Sequence, residues 1–175
     1  MIERIWSGWR STYVTAAPVR SAPEASRSDP GAAGSVFTRI LNSGASDADT
    51  HIVHRSTTCF VICNLFPYTI GHVLVVPFRE VADLEQLTDD ETSDLWSTVT
   101  RTVAVVRDVY RPDGLNVGLN LGRPAGGSVP DHLHVHVVPR WTGDSNFMMA
   151  VSNTQNLPES IDVTAAKLTA AWAVA

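Results

Sequence analysis

Apolar and polar positions follow two different periods along this chain, and each period marks a different kind of element. From Asp131 to Arg140 the order is Asp-His-Leu-His-Val-His-Val-Val-Pro-Arg. Side chains of a strand point to alternate faces, so a strand over residues 132–138 sets His132, His134 and His136 on one face and Leu133, Val135 and Val137 on the other. Residues 59–65 form a largely apolar run that reads as a buried strand. Pro67 to Gly71 mark a reversal, and residues 72–77 read as its antiparallel partner. The period then changes. Thr88-Asp89-Asp90-Glu91 spells a capping box with acidic residues in the first turn. Behind it Leu95, Val99, Val103, Val106 and Tyr110 keep a helical stripe. Arg111 to Gly114 end that helix after about five to six turns. Residues 115–121 predict a third strand, residues 122–130 a glycine-rich loop, and residues 162–173 an Ala-rich helix with Leu168 and Trp172 on one face. Near the N-terminus, residues 2–14 carry Ile5, Trp6, Trp9, Tyr13 and Val14 at near-helical spacing. Residues 16–35 are rich in Ala, Pro, Ser and Gly, which predicts an irregular connection. Strands and helices are mixed without βαβ regularity. The expectation is an α+β fold, a mainly antiparallel sheet with one long helix and a C-terminal helix.

Composition narrows the function classes. A chain of 175 residues with 44% hydrophobic and 18% charged residues suits one globular domain. Its formal net charge of −5 gives no electrostatic basis for binding duplex nucleic acid. No apolar run reaches the roughly 20 residues needed to span a bilayer, and the first residues lack a secretory pattern. Cys59 and Cys63 would lie about 13 Å apart on one strand, too far for a disulfide. They are expected as buried thiols, and a cytoplasmic setting is expected with them.

Three of the six histidines fall in the alternating run. Imidazole suits nucleophilic and acid–base work near neutral pH, and successive imidazoles on a strand stand roughly 6–7 Å apart. One reading is a metal site. Zinc needs nitrogens about 2.0–2.1 Å from one ion, so all three rings converge only on a strongly bent strand, with Asp131 and Asp144 as the nearby carboxylates. A second is a polar sheet face without chemistry. A third is phosphorus chemistry, in which a central imidazole attacks phosphate and its neighbours bind oxygens or move protons. Gly122-Arg123-Pro124-Ala125-Gly126-Gly127-Ser128 supports the third, since backbone N–H groups of such a loop can cradle phosphate. It is no Walker loop, because the Lys is missing. Asn120 and Ser128 bracket it with neutral donors, and Gly71-His72 puts a fourth histidine at a strand start.

His132-Leu133-His134-Val135-His136-Val137-Val138 resembles the His-φ-His-φ-His-φ-φ signature of the histidine triad (HIT) superfamily of nucleotide hydrolases and transferases. Residues 67–77 resemble that family's Pro-x-x-x-Gly-His-x-Leu-Val-x-Pro stretch, and Asn116-Val117-Gly118 with the glycine-rich loop its Asn-x-Gly-x-x-x-Gly-Gln segment. The resemblance spans residues 37–141. Within the superfamily, Trp6-x-x-Trp9-Arg10-x-x-Tyr13, Asn120-Leu121-Gly122, Gly126-Gly127-Ser128 and the run from Pro139 to Phe147 are similar to actinobacterial diadenosine tetraphosphate phosphorylase-like members. Many HIT hydrolases carry Gln where Ser128 stands.

The resemblance implies a HIT-type domain over residues 36–150, preceded by a docking segment and connection (1–35) and followed by a helical extension (151–175). It implies a homodimer or higher homo-oligomer and no cofactor. In the implied mechanism His134 attacks the α-phosphorus of a nucleotide substrate. His132 and His136 orient the nucleophile and hold oxygens, and His72 hydrogen-bonds within the cluster. Asn64 lies where relatives approach the ribose. Asn120, Gly127, Ser128 and Trp141 are implied phosphate contacts, with packing as the competing role for Trp141. The acceptor is orthophosphate in a phosphorylase and water in a hydrolase of dinucleoside polyphosphates or nucleoside phosphoramidates; a weakly active nucleotide-binding module is a further alternative. Many members of this branch contribute Cys-x-Phe-Cys to a zinc site. Here the equivalent is Ser35-Val36-Phe37-Thr38, so no metal is expected, and His51 and His54 are expected as surface residues.

Overall fold

A hairpin of two fully buried strands forms the middle of the molecule. In the computed structural model, which describes residues 34–144 and 158–174, β2 (Cys59–Cys63) and β3 (Val73–Pro77) pair antiparallel from Cys59 opposite Pro77 to Cys63 opposite Val73. β1 (Ile52–Arg55) extends the sheet beyond β2, with a register shift between Ile52 and His54. On the other side β5 (Val135–Arg140) pairs with β3, and β4 (Gly114–Leu119) closes the edge. The order β1-β2-β3-β5-β4 is antiparallel at every pairing.

One face of this sheet is apolar and covered. Val61, Val73, Val75, Val135 and Val137 are fully buried there. Helix α3 (Asp89–Tyr110) lays Leu95, Val99 and Val106 onto them, and α4 (Ile161–Trp172) adds Ala165, Leu168 and Trp172. The capping box at the start of α3 is formed as spelled. The Thr88 hydroxyl accepts from the Glu91 amide, and the Glu91 carboxylate accepts from the Thr88 amide. Arg111 ends the helix in a left-handed conformation, φ 45°, before Pro112. Burial pushes the thiols of Cys59 and Cys63 up to about 12, so both stay protonated small hydrophobes.

The other face carries a smaller apolar cluster, Phe60, Ile62, Leu74 and Val76, capped by Phe37 of the short helix α1 (Val36–Leu41). Neither α1, nor the four-residue helix α2 (Asp47–Thr50), nor β1 was expected from the hydrophobic pattern. Each is too short to show a period. The strand expected over residues 132–138 begins only at Val135, because His132, Leu133 and His134 lie outside the ladder. Their alternation persists all the same: Leu133 is buried in the apolar core and its amide donates to the Val81 carbonyl at 2.6 Å. The strands expected to reach Leu65 and Leu121 stop at Cys63 and Leu119. His51 and His54 are not plain surface residues. His51 Nε2 meets Asp162 Oδ1 at 2.8 Å, and the His54 ring stacks on Trp172 at 3.9 Å. The expectations for residues 1–33 and 145–157 lie outside the described residues.

Candidate active site

All four histidines singled out in the sequence come together on the face opposite α3 and α4. Gly71 delivers the first of them. Its φ is +76°, and a Cβ there would stand 2.7 Å from the Tyr110 ring, so the turn into β3 accepts no side chain. His72 follows, only 1% exposed. The Tyr68 amide donates to its Nδ1 at 3.0 Å, which leaves the proton of a neutral His72 on Nε2. That N–H donates to His136 Nδ1 at 2.9 Å. The proton of His136 therefore sits on its own Nε2, the one buried side-chain nitrogen or oxygen among the described residues without a hydrogen-bond partner. One backbone amide thus sets the direction of a two-ring chain.

The other two rings are fixed by oxygen acceptors. His134 Nδ1 donates to the carbonyl of His132 at 2.8 Å, which puts the ring's lone pair on Nε2. His132 is fully buried with both nitrogens engaged: Nε2 donates to the Pro77 carbonyl at 2.8 Å, and Nδ1 accepts from the Ser35 hydroxyl at 2.6 Å. Phe37 lies against both, with ring centroids at 5.3 Å from His132 and 5.4 Å from His134. The His134 and His136 rings meet edge to face at 5.0 Å.

All four imidazoles are held neutral. Burial first, then the neighbouring rings of His136 and His134, lower His72 to about 3. Burial, then His134, lowers His136 to about 4. Burial also lowers His132 and His134, offset in part by their backbone acceptors. A neutral ring can present a lone pair or an N–H, and here the partners decide which. His134 presents a lone pair and His136 an N–H.

His136 borders a cleft of about 590 Å³ that runs beside β4 and β5. Gly118 lies opposite His136 across the ladder, and a side chain there would project into open space. Asn120, Tyr68 and Arg140 also border the cleft, whereas Gly127, Ser128 and Trp141 do not. Arg140 is held at its rim by Asp144, and its Nη1 donates to Asn116 Oδ1 at 2.9 Å. Asn64 stands apart from the cleft. Its Oδ1 accepts from the Phe66 amide, and its amide nitrogen lies 3.3 Å from His72 Nδ1.

The residues at Ser35 and Thr38 do not fit zinc. Both present hydroxyls where thiolates would be needed, and both are already hydrogen-bonded to the Glu80 and His132 cluster. Among the described residues no three His, Cys, Asp or Glu side chains are placed to hold an ion. No helix among them is long and apolar enough to cross a membrane. No local pattern in the sequence marks Ser35 and Thr38 as partners of His132 and Glu80; there they stand only where relatives carry thiolates.

An imidazole with a directed lone pair, beside a second with a directed N–H, is an arrangement suited to nucleophilic chemistry, here set on an α+β sheet. The chain belongs to the histidine triad family, since the HIT domain model matches residues 45–143. It is 41% identical over 172 residues to an AP-4-A phosphorylase of Mycobacterium tuberculosis, covering 98% of this chain and 85% of that protein. It is 37% identical over 95 residues to the asymmetrical bis(5'-nucleosyl)-tetraphosphatase of Schizosaccharomyces pombe, 54% of this chain and 52% of that protein. Among solved structures it is similar to a Zn-bound histidine triad family protein from Mycobacterium smegmatis. The TM-score is 0.65 at 27% identity, over 81% of this chain and 94% of that one.

Proposed function

We propose that the protein cleaves dinucleoside polyphosphates of the diadenosine tetraphosphate class and passes the nucleotidyl group to orthophosphate. The observation that carries the chemistry is the hydrogen bond from His134 Nδ1 to the His132 carbonyl, which leaves Nε2 as the nucleophile. Nε2 attacks the α-phosphorus, a P–N bond forms, and the bond to the bridging oxygen breaks with its electron pair on the departing nucleotide. Orthophosphate oxygen then attacks the same phosphorus, the P–N bond breaks, and a nucleoside diphosphate leaves. The partnerless N–H of His136 is suited to an oxygen of the phosphoryl group, where leaving it unmet in the folded protein costs about 1–3 kcal/mol. With both nitrogens engaged, His132 holds the nucleophile and does not touch phosphate. Asn120 is the cleft's neutral donor, and Asn64 approaches the ribose.

The phosphate acceptor is supported by the similarity to AP-4-A phosphorylase over nearly the whole chain. Contacts from Gly127, Ser128 and Trp141 belong to the same proposal, and their absence from the cleft border requires the loop or the substrate to bring them in. A homodimer is supported by β4, which lies at the sheet edge with Val117 43% exposed. A cytoplasmic setting is supported by the two free, buried cysteines. A hydrolase is the second reading, favoured by the similarity to the tetraphosphatase. Product chromatography with diadenosine tetraphosphate, with and without orthophosphate, separates the two, with His134→Asn as control. The proposal expects phosphate-dependent ADP plus ATP from the wild type and none from the variant. Phosphate-independent AMP plus ATP would make it a hydrolase, and turnover by His134→Asn would remove His134 as nucleophile.

A further inference from the structure

The residues that orient His134 lie outside the sheet. His132, Leu133 and His134 precede the first ladder residue, Val135, so strand pairing does not hold them. Three bonds do: Leu133 N–H to the Val81 carbonyl, His132 Nε2–H to the Pro77 carbonyl, and the Ser35 hydroxyl to His132 Nδ1. The first comes from the segment that follows β3, and the second from Pro77, the last residue of β3 itself. The third comes from the start of α1, 97 residues away in sequence.

We propose that Ser35 is a positioning residue: its hydroxyl locks the His132 ring, and thereby the His132 carbonyl that aims the nucleophile, making α1 part of the active site. This rests on the reading of His134 as nucleophile. The direction of the bond is fixed. The Pro77 carbonyl can only accept, so Nε2 carries the proton and Nδ1 must receive one, and the donor facing it is the Ser35 hydroxyl. Ser35 is itself held from two sides. Its amide donates to Glu80 Oε2 at 2.8 Å, and its hydroxyl oxygen accepts from the Thr38 amide at 3.1 Å. The Thr38 hydroxyl donates to the same Glu80 oxygen. The exposed carboxylate of Glu80 thus pins the first turn of α1, and that turn pins His132. Without the hydroxyl, Nδ1 is buried with no donor, and the His132 ring has one anchor instead of two. Its carbonyl can then turn, and the His134 ring with it.

Ser35 also caps α1, so the test must separate the cap from the lock. Ser35→Gly does so, because glycine is tolerated at an N-cap nearly as well as serine, and φ at Ser35 is an ordinary −65°. Ser35→Thr keeps the hydroxyl. With diadenosine tetraphosphate and orthophosphate, Ser35→Gly should lose roughly tenfold or more in kcat with KM within about twofold. Ser35→Thr should retain most of kcat. Imidazole ¹⁵N shifts of the wild type should show His132 protonated on Nε2 and His134 on Nδ1, and Ser35→Gly should broaden or move both signals. Wild-type kcat with unmoved ¹⁵N signals in folded Ser35→Gly would overturn the proposal. So would the opposite tautomers in the wild type, a readout that needs no variant. If the wild type turns over no dinucleotide, the functional reading fails, while the ¹⁵N measurement still decides the lock.

Discussion

The two faces of the sheet are held by different physics. Under α3 and α4, Val61, Val75, Val135 and Leu95 are buried by area, with no direction to any contact. Such a face resists change in proportion to the volume removed. On the other face, beside the smaller apolar cluster, the histidine rings are held by a few directional bonds: Tyr68 N–H to His72, His72 to His136, His134 to the His132 carbonyl, Ser35 to His132. Each decides where one proton sits. Apolar packing therefore sets whether the chain folds, and the hydrogen bonds set which nitrogen reacts. On the proposed reading, loss of a single atom from the second face is expected to cost folding little and chemistry much.

That contrast can be broken from either side. The larger effect on folding is expected from Leu95→Ala, a fully buried side chain of α3. It should lower unfolding free energy by about 2–5 kcal/mol in denaturant titration, while kcat of the folded fraction stays near wild type. A kcat loss as large as that of Ser35→Gly would erase the distinction between the faces. Acid should act on the histidine face with a smaller effect. His72 and His136 stand at about 3 and about 4 in the folded chain, below the ordinary imidazole value of about 6.5. The unfolded chain therefore takes up protons first as pH falls. Stability contributed by these neutral rings is complete above about 6.5 and is lost on the way down towards 4 and 3. Melting temperature should drop between pH 7 and pH 4.5, and His72→Gln should flatten that slope. An unchanged slope in His72→Gln would mean that other groups titrate.

The apolar face was also the legible one. Residues 59–77 announce a hairpin, the Thr88 capping box and the stripe behind it announce α3, and Leu168 with Trp172 orient α4. Each signal is local and repeated. The histidines were legible as a row because alternation reports where side chains point. Alternation does not report which backbone is paired, so the strand was placed from residue 132 when the ladder starts at Val135. Ser35 and Thr38 were legible only as absent ligands. Their bonds to His132 and Glu80 join residues 97 and 42 positions apart, and no local period records such a contact. The same holds for His54, which meets Trp172 only once α4 is docked.

The proposed reaction requires His134 Nε2 to become covalently bonded to the α-phosphorus during turnover. The test is a rapid acid-free quench of the wild-type protein with diadenosine tetraphosphate labelled at the α-phosphorus, followed by fragmentation of the peptide that carries His132, His134 and His136 to assign the labelled residue. Label is expected on His134 itself, as a phosphoramidate that forms within the first turnover and is discharged by orthophosphate. Full turnover with no label on the protein, or label on His132 or His136 instead, would contradict it.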